Sequence, residues 1–60
     1  MKVIDHKRDD YMFNLRCTLT ATLILKYKSY SQYDVLLTLI KSNIDEDLIL
    51  AKEIMLQLAI

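Results

Sequence analysis

Glycine and proline are both missing from this 60-residue chain, and the two absences remove whole classes of fold and site. Tight two-residue hairpins lean on backbone with positive φ, which glycine adopts at least cost, so a sheet protein of this length would carry several. Loops that bring bare backbone against a phosphate want glycine for the same reason, which excludes P-loop and dinucleotide-binding fingerprints. Helices joined by short Ser, Asn and Asp turns need neither residue. The single cysteine cannot close an internal disulfide, and with a single histidine it cannot supply the four ligands of a structural zinc site. No run reaches the ~18 apolar residues of a membrane span. Met1 to Asp10 is polar and charged where a secretory signal would be apolar. A lone reduced cysteine fits a cytoplasmic protein.

Apolar side chains are what the sequence does have. They make up 53% of it, above the roughly 45–50% usual for soluble domains even when glycine is counted there. A single core is marginal at this length without a metal, a disulfide or a second subunit, and a short helical chain exposes much of each helix. Self-association is the simplest remedy, and the expected state is a homodimer. Eight basic and eight acidic residues cancel, which argues against a dedicated nucleic-acid binder. Their placement is uneven: residues 1–30 hold six basic against three acidic, and residues 31–60 two basic against five acidic. Such a split either orients a partner or a head-to-tail contact, or simply solvates the surface.

Periodicity predicts three helices within one domain over residues 1–60, with residues 1–8 as a flexible arm. From Asp9 or Asp10 the first helix carries Met12, Leu15, Leu19 and Leu23 on one stripe, and Phe13, Cys17, Ile24 and Tyr27 on a neighbouring one. Acidic residues at its start and Lys26 and Lys28 at its end suit the macrodipole. The Thr18, Thr20, Thr22 alternation also reads as a strand, but it has no hairpin partner. Lys28 to Ser31 forms the first turn. Ser29 with Gln32 and Ser31 with Asp34 are capping-box patterns for a second helix, which runs to about Lys41 with Tyr33, Leu36, Leu37 and Ile40 on one face and Val35 and Leu39 alongside. Ser42-Asn43 ends it, Asn being the best stand-in for glycine in a left-handed helix end. Asp45, Glu46 and Asp47 open the third helix. There Ile44, Leu48, Ala51, Met55 and Leu58 make a seam widened by Leu50 and Ile54 and flanked by Ile49, Leu56 and Ile60. So little of this helix is polar that both its sides call for cover: one from the chain's own core, the other from a partner. The expected core and dimer surface is therefore Leu48, Leu50, Ala51, Ile54, Met55 and Leu58.

No constellation points to catalysis, a metal or a cofactor. Asp5, His6, Asp9 and Asp10 lie at or beside the arm, without the held geometry that a ligand or base requires, and read as solvated. Cys17, on an apolar stripe with no histidine near it, reads as a small buried hydrophobe. The acidic triplet lacks the alternation, glycine and distal glutamate of a calcium loop and reads as helix capping. Met12 and Met55 read as core filler. Lys26-Tyr27-Lys28-Ser29-Tyr30-Ser31-Gln32-Tyr33 interleaves bases with aromatics, a pattern that grips phosphates and stacks bases or packs a turn with its hydroxyls in water. Packing suits Tyr33 and Tyr27, which leaves Lys26, Lys28 and Tyr30 as contact residues for a protein or nucleic-acid partner.

From Thr22 to Ile60 the chain resembles the YmgB/AriR family of small enterobacterial regulators. The residues that carry the likeness are Leu23-Ile24-Leu25 and Tyr33-Asp34-Val35-Leu36-Leu37-Thr38-Leu39-Ile40-Lys41-Ser42, then the acidic Asp45-Glu46-Asp47 and the last amphipathic helix. Tyr27 stands where that family tends to have a turn glycine, and Asn43-Ile44 replaces a more acidic pair. The resemblance implies an all-α homodimer in the cytoplasm. It further implies a role linking stress signals to biofilm formation and acid resistance, through a two-component phosphorelay or transcription. Asp10-Tyr11-Met12-Phe13-Asn14-Leu15-Arg16 is similar to the first helix of the Hha/YmoA family, whose members partner nucleoid-associated proteins. The expectation is an all-α, three-helix homodimeric bundle that is not an enzyme. It would work by binding a bacterial signalling or nucleoid-associated protein, with no small-molecule substrate and no membrane. Direct DNA binding, or a role as a small antitoxin or phage-type inhibitor, stands as the alternative.

Overall fold

A computed structural model describes residues 6–59, with the side chains of residues 8–59. Among them are three helices and no strand: α1 (His6–Lys26), α2 (Tyr33–Lys41) and α3 (Asp45–Leu58). The threonine-rich stretch is helical. Thr20 donates its hydroxyl to the Arg16 carbonyl one turn earlier (2.7 Å), as Thr38 does to Asp34 in α2 (2.9 Å), so these hydroxyls are satisfied without leaving the helix. α1 starts at His6, ahead of the expected Asp9 or Asp10. Residues 6–8 of the expected arm are thus helical; residues 1–5 lie outside the described residues.

The chain folds up, down and up. α1 spans 21 residues, about 31 Å at 1.5 Å per residue. A turn over residues 27–32 reverses it, closed by the Tyr30 amide on the Tyr27 carbonyl (3.0 Å) and the Tyr33 amide on the Tyr30 carbonyl (3.0 Å). α2 returns for nine residues alongside the rear half of α1. α3 then runs parallel to α1: Arg8 meets Asp45 near the two N-termini (2.8 Å), and Lys26 and Ala59 line a common groove at the far end.

The first stripe of α1 is the buried one. Met12, Leu19 and Leu23 join Leu36 and Ile40 of α2 and Leu48, Ala51 and Met55 of α3 in a single core, with Leu15, Leu37, Ile54 and Leu58 packed against it. Both internal methionines serve as the expected filler. Of the second stripe, only Tyr27 packs against the core. Phe13 is 67% exposed and Ile24 stands open with it, and Cys17 is exposed, which corrects its reading as a buried hydrophobe. That stripe is rotated by about 100–120° from the first. With two short helices to pack on, α1 can bury one of the two. Ile44, expected in the α3 seam, is exposed, because it sits at the helix N-cap in extended conformation.

Both expected helix boundaries differ in mechanism. α2 starts after Gln32, with no side chain capping it; neither Ser29 nor Ser31 forms its capping box, since the turn carbonyls of Tyr30 and Gln32 already take the first amides of the helix. α2 does not end on a left-handed asparagine: no described residue has positive φ. Ser42 leaves the helix extended (φ −63°, ψ 146°) and is held there by three bonds. Its carbonyl accepts from Arg16 Nη2 of α1 (2.9 Å), its hydroxyl donates to the Asp47 carboxylate of α3 (2.7 Å), and the same oxygen accepts the Ile44 amide (3.1 Å). One residue thereby clasps all three helices.

Candidate functional site

The six residues expected to form the core and dimer surface divide by the geometry of α3. Leu48, Ala51 and Met55, spaced three and four apart, close into the chain's own core, and Ile54 and Leu58 are half-buried against it. Leu50 stands open at 49% exposure. The apolar surface that α3 leaves open on this side is therefore its outer flank, where Leu50 and Ile54 lie one turn apart, and not the seam. Open apolar side chains elsewhere are Tyr11, Phe13, Ile24 and Leu25 of α1, Val35 of α2, and Ile49 and Leu56 on the other flank of α3.

The basic-aromatic turn is mostly a packed corner. Tyr27, Tyr30 and Tyr33 are all half-buried and packed against the core, so Tyr30 shares the packing role expected of the other two. Lys26 and Lys28 are exposed. The rings brace the α1–α2 turn and the two ammonium groups remain outside it.

A second feature lies outside the sequence expectations. Between the rear half of α1 and the rear half of α3 runs an apolar groove of about 290 Å³, floored by Leu15, Leu19, Met55 and Leu56, with Lys26 and Lys52 on its walls. Lys52 is held in place: its ammonium donates to the Tyr11 hydroxyl (3.2 Å) and lies 5.9 Å from the centre of that ring, within the reach of a cation–π contact. The signal was present as two lines of helical spacing, Leu15-Leu19-Thr22-Lys26 on α1 and Lys52-Leu56-Ala59 on α3. It is masked because Leu15 and Leu19 also belong to the core stripe of α1, and the α3 line borders that helix's core seam.

Arg16 is the other cation with an unusual setting. Its Nη2 serves the Ser42 carbonyl while its Nε is buried with no partner among the described residues. No group of three or more His, Cys, Asp or Glu residues able to hold a metal occurs among the described residues. The Asp5 and His6 side chains lie outside them. Among the described residues no helix is long and apolar enough to cross a membrane. Comparison with known protein families, curated proteins and solved structures finds no match for the chain.

Proposed function

We propose that this chain is a non-enzymatic interaction module that pairs with a second copy of itself through the outer flank of α3 and acts by docking on another protein. Its open apolar side chains carry the reading: nine large hydrophobic residues stand exposed among the described residues, Val35 at 55% and Leu50 at 49% with them. Leu50 and Ile54 supply the apolar centre a pairing interface needs, and Val35 of α2 is a further open apolar group.

Leu50→Glu is the discriminating change, because Met55 sits in the core and its replacement would unfold the chain before it parted a pair. Sedimentation at micromolar concentration is expected to find a dimer for the unaltered protein and a helical monomer for Leu50→Glu. A well-folded monomer before mutation, or a dimer that survives it, refutes the proposal.

The likeness to YmgB/AriR regulators extends the reading to a bacterial signalling or nucleoid-associated partner, and to control of a phosphorelay or of transcription in biofilm and acid response. Direct DNA binding is the second reading, favoured by exposed Lys26 and Lys28 at the end of α1. It requires duplex affinity that falls steeply with salt.

A further inference from the structure

We infer that the groove between α1 and α3 is a binding site for a small amphiphilic anion, a medium-chain carboxylate whose head group meets Lys52 and whose tail lies along Leu19, Met55 and Leu56. Three observations converge on this chemistry. The floor is apolar and at 290 Å³ is roughly twice the ~150 Å³ that admits a benzene ring, at the lower end of the usual range for small-molecule sites. Lys26 and Lys52 on its walls are cationic, the Tyr27 phenol is the remaining titratable group there, and no carboxylate lines it. Lys52 has no carboxylate partner among the described residues; it is poised by the phenol and ring of Tyr11, which orient an ammonium without neutralising it.

Size argues against a helix as occupant. A helix with its side chains is about 10–12 Å across and could lay only a side chain or two into a groove of this volume, whereas a single-file hydrocarbon chain fills it. The groove also lies away from the proposed pairing surface: Lys52 and Leu50 are about 160° apart around α3. The inference therefore stands whether or not the pair forms.

Isothermal titration of the full chain tests it with decanoate, decanol and butyrate, all below micelle-forming concentration. Decanoate should bind saturably, one per chain, and at least tenfold more tightly than decanol, which lacks the charge, or butyrate, which lacks the tail. Lys52→Glu should lose decanoate at least tenfold and gain decylamine, with its circular dichroism unchanged. Equal binding of decanol, an unaltered decanoate affinity in Lys52→Glu, or no saturable binding would overturn the inference. So would association with phosphatidylglycerol vesicles in the absence of decanoate binding, since the surface would then serve a membrane. Sedimentation of the same samples separates this result from the pairing proposal.

Discussion

Ser42→Ala removes one oxygen and two hydrogen bonds, and should cost this protein a large part of its stability. The bond to the Asp47 carboxylate (2.7 Å) is charge-assisted, a class with a net contribution of ~1.5–3 kcal/mol, and the bond from the Ile44 amide (3.1 Å) belongs to the ~0.5–1.5 kcal/mol class. Ser42 and Asp47 are half-buried, so water recovers part of the loss and the lower ends apply, giving about 2 kcal/mol. A chain of this length holds roughly 3–9 kcal/mol in total. In a thermal melt followed by circular dichroism, 2 kcal/mol corresponds to a fall in Tm of roughly 8–16 °C. Protein concentration must be held fixed, because pairing would make Tm depend on it. The Arg16 bond goes to the main-chain carbonyl and survives the mutation, so the measurement isolates the hydroxyl. Asn43→Ala, at an exposed neighbour, should stay within about 0.5 kcal/mol. A fall of less than 3 °C for Ser42→Ala would refute the reasoning. So would simple additivity with Asp47→Ala, since two residues that share a bond must couple.

Two further side chains, Arg16 and Cys17, give measurable outcomes. Arg16→Met should be close to neutral, within about 1 kcal/mol in urea unfolding, because it gives up the bond to Ser42 but also removes the buried, unpartnered Nε and keeps the packed stem. A loss above 3 kcal/mol would mean that the guanidinium is satisfied in solution. Cys17 should react with a thiol reagent such as Ellman's reagent in the folded protein at a rate within a few-fold of that in urea, since its side chain is exposed. Strong protection would show that the Phe13–Cys17–Ile24 stripe is covered.

How far the fold could be read from the sequence depended on distance along the chain. Met12, Leu19 and Leu23 were legible as a core stripe because helical spacing is a local property, as were Leu36 and Ile40 in α2 and Leu48, Ala51 and Met55 in α3. Phe13, Cys17 and Ile24 show the limit. Their spacing is as regular and their side chains as apolar, so periodicity alone cannot say which stripe wins; that is settled by how many helices remain to pack against α1. The end of α2 shows another. Asn43 has the right local chemistry for a left-handed cap, but Arg16, remote in sequence, and Asp47 in the first turn of the next helix hold Ser42 extended instead. The groove escaped for the same reason, since its walls come from residues 15–27 and 52–59.

The unequal lengths of the helices divide α1 into two regimes. Its rear lies against nine residues of α2 and the leucines of the core, where attachment depends on exclusion of water and is not weakened by charge screening. α2 is too short to reach its front, where the fastenings to α3 among the described residues include the exposed Arg8–Asp45 pair and the Tyr11–Lys52 contact, with Met12 as an apolar anchor. Ionic strength acts selectively on such an arrangement: added salt screens the front ties and leaves the rear alone. The opening turns of α1 can thus loosen while the bundle persists, giving the protein a graded end beside an all-or-none body.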